Sequence, residues 1–326
     1  MSNVIFRLEN KRVWVAGHRG MVGSALVRRL EHENCEIITS DRSRVDLRDQ
    51  SQVKAWITET KPQVVFLAAA KVGGILANDT YPADFLYDNL MIQANVITAA
   101  FRASVEKLIF LGSSCVYPKF APQPIPEDAL LSGQLEATNQ WYAVAKIAGI
   151  KLCQAYRRQY RVDFISAMPT NLYGPGDNFN LYSSHVLPAL ICKAHEAKAT
   201  GAGSFNIWGT GSPRREFLHV DDCADAIVFL TKMYSAESQV NVGCGQDISV
   251  SDLARFVADI VGFNGKIVCD VTMPDGTPNK LMNSDMIFKM GWQPKITLPN
   301  GIRSTYRWFL DNCEEARHVL EAQLSE

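Results

Sequence analysis

Several features are scarce in this chain of 326 residues. No run approaches the roughly 20 consecutive apolar residues that a membrane span requires, and Met1 to Lys11 holds no apolar core of signal-peptide length. A cytoplasmic protein is the expectation. No block of lysine and arginine stands out and the formal net charge is -1, so neither nucleic acid nor an anionic membrane is favoured as partner. The eight cysteines include no Cys-x-x-Cys pair, which points away from a metal site or a disulfide framework and towards reduced thiols. Internal repeats and low-complexity linkers are absent too. What remains is enough chain for one large or two intimately joined domains, with 47% hydrophobic and 21% charged residues, as in globular proteins.

The apolar run Arg12 to Ala16 reads as a buried strand. It leads directly into Gly17, His18, Arg19, Gly20, Met21, Val22 and Gly23, and then into the helical pattern of Leu26, Val27 and Leu30. Strand, glycine-rich turn and helix in this order predict a dinucleotide site: glycine permits a tight turn and close backbone approach, and the helix N-terminus attracts a pyrophosphate. The spacing is Gly-x-x-Gly-x-x-Gly, a departure from the commoner Gly-x-Gly-x-x-Gly.

A second strand, Glu36 to Ser40, ends at Asp41 and Arg42, where an adenosine ribose is expected. An acidic residue there suits the free hydroxyls of NAD, whereas arginine accommodates the extra phosphate of NADP. Arg42, helped by Arg19, tips the expectation to NADP(H), with Asp41 arguing the other way. Asp46, followed by Leu47, either reaches the adenine or caps the next helix. Val64 to Ala68 reads as a third strand ending in the small residues Ala69 and Ala70, Phe85 to Ala103 as a long helix, and Lys107 to Leu111 as a fourth strand. The alternation predicts an α/β fold built on a doubly wound parallel sheet.

The fourth strand delivers Leu111, Gly112, Ser113, Ser114 and Cys115 to the crevice where open α/β sheets bind ligands. Some thirty residues on, Tyr142 and Lys146 stand one helical turn apart on one face. A phenol beside a fixed cation is more easily ionised, and a serine hydroxyl can bind the same substrate oxygen. Together they suit proton transfer to or from an alcohol or carbonyl while hydride arrives or leaves. Tyr-x-x-x-Lys also arises by chance as ordinary helix packing. Taken alone, Cys115 reads rather as a small buried hydrophobe, and a lone histidine at a helix start as a cap or surface residue.

Beyond single motifs, linked strings cover nearly the whole chain: Gly17 to Gly23, Ala68 to Ile75, Asn78 to Phe85, Gly112 to Pro118, Tyr142 to Gly149, Met168 to Pro175 and Arg215 to Asp222. In these the sequence resembles the extended short-chain dehydrogenase/reductases that act on nucleotide sugars. It is most similar to the branch that epimerises and reduces GDP-4-keto-6-deoxy-D-mannose to GDP-L-fucose with NADPH. The resemblance implies that Cys115 and His185 exchange protons at the third and fifth ring carbons, and that Ser113, Tyr142 and Lys146 serve the reduction at C4. Related dehydratases carry a carboxylate where this chain has Cys115. The cofactor is expected along the glycine turn, Arg42, Asp46, Leu47, Leu111 to Ser114, Lys146, Pro169, Thr170, Asn171, Leu172 and His185. Lys193, Trp208, Arg215, Asp275 and Lys280 are implied for the GDP-sugar, though each also reads as a core or surface residue.

The same comparison implies a homodimer through a four-helix interface, supplied by a helix such as the one from Phe85 to Ala103. The expected organisation is an NADP-binding unit over residues 1–172, rejoined by the chain near 217–245, and an interleaved substrate unit over 173–326. Ser184 is expected to cap the helix near His185, Asp221 and Asp222 the helix from Cys223 to Thr231, and Ile302 to Leu310 and Glu314 to Leu324 to close the chain as helices. Two other outcomes stay open. One is a 4-epimerase or 4-reductase for another nucleotide sugar; the other is a catalytically silent NADP-binding protein, since a fold does not fix a function.

Overall fold

A computed structural model describes residues 4–273 and 275–312. In chain order the elements are β1 (Arg12–Ala16), α1 (Met21–Leu30), β2 (Glu36–Ile38), α2 (Gln50–Thr60), β3 (Val64–Leu67), α3 (Ile75–Thr80), α4 (Pro82–Arg102), β4 (Lys107–Leu111), α5 (Gln140–Tyr160), β5 (Asp163–Pro169) and β6 (Asn171–Tyr173). There follow α6 (Val186–Thr200), β7 (Ser204–Trp208), β8 (Arg214–His219), α7 (Val220–Met233), β9 (Val240–Val242), β10 (Asp247–Ser249), α8 (Val250–Val261), β11 (Lys266–Asp270), β12 (Asn279–Lys280), α9 (Asp285–Lys289) and α10 (Leu298–Asp311). The helix expected over Glu314 to Leu324 lies outside the described residues.

Six strands pair in the order β2-β1-β3-β4-β5-β9, every pair parallel. Parallel strands buried on both faces need continuous apolar runs, and VVFL in β3 and KLIFL in β4 are buried at every position. One face packs Leu26 and Leu30 of α1 with Ile227 and Leu230 of α7; the other packs Val96 and Ile97 of α4 with Ile150 and Cys153 of α5. Strand order reverses at β1, which lies between β2 and β3, so the carboxyl ends of β1 and β3 open a crevice, as the doubly wound expectation requires.

A smaller layer covers that crevice. β8 pairs with β6, β10 and β12, and β11 pairs with β7, over a core of Leu190, Ile191, Leu253, Val257 and Phe309. The chain leaves the large sheet after β5, builds part of this layer and returns to the sheet with β9.

Three expected caps fall elsewhere. α2 is capped by Asp49, whose carboxylate accepts from the amides of Ser51 and Gln52, while Asp46 is held by Arg48. α7 begins at Val220, earlier than Cys223, so the His219 ring accepts from the Asp221 amide; Asp222 instead accepts from the amides of Lys295 and Ile296. At α6 the cap position belongs to His185 with no side-chain bond, and the Ser184 hydroxyl is buried without a partner.

Candidate active site

The glycine turn is shaped by contacts no other residue tolerates. Gly17 has φ +93°, and a Cβ there would come within 2.6 Å of the Ala69 amide nitrogen. A Cβ on Gly23 would overlap the Gly17 carbonyl. Gly20 precedes α1 with no side-chain cap, and no acidic residue stands in the first turn of the helix. The first amides of α1 therefore face the crevice unsatisfied, with the positive end of the helix dipole behind them, which fits a pyrophosphate.

Next to this turn, Asp41 is already occupied. It pairs with Arg19 at 3.0 Å, accepts from the Arg44 amide at 3.2 Å and takes the Ser43 hydroxyl; that hydroxyl and amide hold its carboxyl below the usual range. The Arg42 side chain stays 66% exposed and reaches Asp46 only at 3.8 Å. Asp46 is clamped by Arg48, whose guanidinium donates to both its oxygens. The Leu47 carbonyl accepts from Asn95 on α4.

Across the crevice, β4 runs into Gly112 and Ser113, and Ser113 starts a single 3₁₀ turn over Ser114–Val116 by accepting from the Cys115 amide at 3.3 Å. Gly112 lies over Met168 at the end of β5, where a Cβ would overlap the thioether. Pro169 to Leu172 carry the chain from β5 into β6; the Thr170 amide donates to Val242 on β9, and the Asn171 amide group to the Glu216 carbonyl on β8. The cofactor wall is thus knitted to the smaller layer.

Tyr142 and Lys146 descend from α5 onto this loop. The small Gly149 lets the helix sit on Phe110 and Gln93, and Lys146 reaches down to donate to the Leu111 carbonyl at 2.8 Å. Its Nζ lies 4.8 Å from the Phe110 ring centre and 5.8 Å from that of Tyr142. Burial pushes this ammonium down to about 7. The phenol moves upward instead: burial and the neighbouring Cys115 sulfur raise its pKa, with Ser113 pulling the other way. The sequence suggested that the lysine lowers the phenol; burial of the phenol sets the opposite direction. Tyr142 is held as a neutral acid, the form that can donate a proton.

The same sulfur gathers residues from three other segments. Asn139, ending the 3₁₀ turn before α5, donates to Cys115 Sγ at 3.4 Å, and Lys280 on β12 points its Nζ at it from 3.7 Å. Arg215, paired in register with Lys280, lies within electrostatic range of the sulfur. His185 stands exposed at the cap position of α6; desolvation and the Lys280 charge depress its pKa. The loop before it is anchored by the Gly74 amide, which donates to the Ser183 carbonyl, and Asn78 in turn donates to the carbonyls of Gly73 and Gly74.

The remaining wall carries Lys193, Trp208, Arg215 and Asp275. Lys193 Nζ sits 5.6 Å from the Trp208 ring centre and donates to the Asn206 carbonyl; burial lowers its pKa. Arg215 donates to the Asp275 carbonyl at 3.4 Å. The Asp275 carboxylate is engaged by the Thr210 amide and hydroxyl. Lys280, the other residue implied for the GDP-sugar, stands beside Cys115. Asn139 was missed: the available signal was a polar side chain three residues before the phenol, at the cap position of its helix.

Residues 13–243 match the NAD dependent epimerase/dehydratase family. Over 308 residues the chain is 58% identical to a GDP-L-fucose synthase of Sinorhizobium fredii, covering 94% of this chain and 98% of that protein. It is 49% identical over 320 residues to the GDP-L-fucose synthase of Escherichia coli, covering 95% and 100%. The crystal structure of a GDP-L-fucose synthetase from Naegleria fowleri bound to NADP superposes with TM-score 0.88 at 28% identity, covering 97% of this chain and 99% of that one.

Proposed function

This chain belongs to the NAD dependent epimerase/dehydratase family, among its GDP-L-fucose synthases, and on that premise we propose that Cys115 and His185 perform its epimerisations while Tyr142, Ser113 and Lys146 serve its reduction. The enzyme converts GDP-4-keto-6-deoxy-D-mannose to GDP-L-fucose by 3,5-epimerisation and 4-reduction, and uses NADP(H). The observation that carries the residue assignment is the meeting of one thiol with Tyr142, Asn139 and Lys280 at the carboxyl end of β4.

The 4-keto group acidifies the carbons on either side of it. A base on one face takes a ring proton, the C–H electron pair moves onto the carbonyl oxygen, and an acid on the other face returns a proton with inverted stereochemistry. Ser113 and Tyr142 hold the oxygen where that charge develops. NADPH, when bound, supplies the hydride that reduces C4. Tyr142 then gives its phenolic proton to the sugar oxygen, and Lys146, anchored on Leu111, lies beneath it to support the phenol and meet the ribose of the cofactor. The uncapped glycine turn holds the pyrophosphate, with Arg42 beside it for the 2′-phosphate. Lys193, Trp208, Arg215 and Asp275 receive the GDP.

This assignment divides the chain into a cofactor unit over residues 1–172, rejoined by the segment near 217–245, and a substrate unit over 173–326. Homodimerisation through α4 and α5 is supported by Leu86, Tyr87, Leu90 and Met91 on one helix and Val144, Ala148 and Leu152 on the other, all apolar and at least partly exposed. Light scattering reads a mass twice that of the 36.2 kDa chain if so. The free thiols at all seven described cysteines suit a reducing cytoplasm.

Cys115→Ser tests the central role. The variant is expected to bind NADPH normally and still reduce a ketone, yet to lose exchange of the C3 and C5 protons with deuterated water and to yield no GDP-L-fucose. Normal fucose formation would remove the thiol from the mechanism. In the unmutated enzyme, NADPH absorbance falls in step with sugar consumed; sugar turnover without net NADPH loss would mark a 4-epimerase instead.

A further inference from the structure

We propose that Lys280 and Asn139 are positioning residues that hold the Cys115 sulfur as an anion aimed into the cleft. The proposal rests on the role assigned above to Cys115. A thiol is a base only as its thiolate, and a thiolate is stabilised by nearby cations and N–H donors. Cys115 has one of each: the Lys280 ammonium at 3.7 Å and the Asn139 amide at 3.4 Å, arriving from β12 and from the turn before α5.

The sheet supplies a second, independent observation. β12 and β8 pair with Lys280 opposite Arg215. Like charges directly opposite one another destabilise a sheet. An anion between them offsets that cost, and the Cys115 sulfur lies within range of both. Among the described residues, Tyr142 from α5, Arg215 from β8 and Lys280 from β12 interact with the sulfur; Lys280 also acts on His185, and Glu136 and Asp275 act on Arg215. Arg215 and Lys280 bring positive charge to the sulfur. Asn139 adds direction: its amide donates to the sulfur, while its carbonyl oxygen is buried without a partner.

In the reaction, the S–H bond forms as the ring C–H bond breaks, and the electron pair passes to the carbonyl oxygen between Ser113 and Tyr142. Lys280 and Asn139 touch the sulfur but neither give nor take the ring proton; they set how much of the sulfur is anionic and where it points.

The test is alkylation of Cys115 by iodoacetamide in the full chain without sugar, followed by peptide mass spectrometry, because Cys269 is exposed and Cys35 and Cys244 are partly so. Lys280→Met is expected to slow modification of Cys115 at pH 7 by about tenfold, with recovery as the pH is raised. Lys280→Arg should restore most of the rate, and Asn139→Ala should lower it less. NADPH binding unchanged in each variant verifies the fold, and Lys280→Gln replaces Lys280→Met if the latter does not fold. Equal alkylation rates in Lys280→Met or Lys280→Gln and the unmutated chain would overturn the proposal. Because no sugar is present, that result is separate from the Cys115→Ser experiment: the thiol can be essential without Lys280 governing it, or governed by Lys280 without being the base.

Discussion

The two walls of the cleft are built from different material. On the cofactor wall, position is set by backbone: a left-handed Gly17, an uncapped α1, and strand ends at Leu111 and Pro169. On the sugar wall, position is set by side chains from distant segments, with Cys115 meeting Asn139 across 24 residues and Lys280 across 165. A backbone site announces itself through glycines and strand-helix alternation, because only certain residues allow the geometry. A side-chain site leaves no local signature, since any lysine can serve once the fold delivers it. The first wall recognises what all dinucleotides share, and the second can change its chemistry by one residue.

That difference explains what the sequence could and could not reveal. The parallel sheet, the strands Arg12–Ala16 and Lys107–Leu111 and the Tyr142–Lys146 helix follow from periodicity and glycine placement. Cap assignments failed at Ser184, Asp46 and the Asp221–Asp222 pair because a cap depends on the helix start to within one residue, finer than periodicity resolves. The α7 start at Val220, three residues before the expected Cys223, was enough to move the cap to His219 and send Asp222 to the chain near Lys295. The effect of Lys146 on Tyr142 was misjudged for another reason: spacing gives proximity, but burial decides the direction of a pKa.

The largest expected effect lies where the walls meet. Tyr142→Phe keeps the ring and its packing and removes the only proton the phenol can give. Positioned acids contribute about 10²- to 10⁴-fold, so NADPH consumption with the keto sugar should fall by that order while NADPH binding holds. Proton exchange at C3 and C5 should fall less, since Cys115 and His185 remain. If exchange and reduction fell equally, the two walls would not be separable as described, and Tyr142 would belong to both.

A smaller effect is expected at Asp177, in the loop between β6 and α6 that joins the walls. It is 7% exposed, one carboxylate oxygen accepts from the Asn178 amide, the other has no partner, and burial raises its pKa to about 7. Below about pH 4 the group is protonated in both folded and unfolded chains and costs nothing. As the pH rises towards 7, the unfolded chain ionises first, so stability falls, and by pH 8 the loss amounts to up to about 4 kcal/mol. Asp177→Asn keeps an acceptor for the Asn178 amide and removes the titration. Its melting temperature should exceed that of the unmutated chain at pH 8 and converge with it at pH 4. Parallel melting curves across that range would mean that the loop already hosts the ionised form.

The smallest effect sharpens the cofactor wall at a side-chain feature. Asp41, which would select free ribose hydroxyls, is spent on Arg19, Ser43 and the Arg44 amide, whereas the Arg42 guanidinium projects with only a 3.8 Å approach to Asp46. A 2′-phosphate gives that guanidinium a charge-assisted partner, and such bonds contribute about 1.5 to 3 kcal/mol, reduced here by exposure to water. Arg42→Ser should therefore weaken NADPH by about tenfold and leave NADH unchanged, read as two dissociation constants by fluorescence titration. Equal weakening of both cofactors would place Arg42 outside the phosphate site and make Arg19 the residue that reads it. In that case the Arg19–Asp41 pair would have to open on binding, and this wall too would depend on a side-chain rearrangement that no glycine pattern announces.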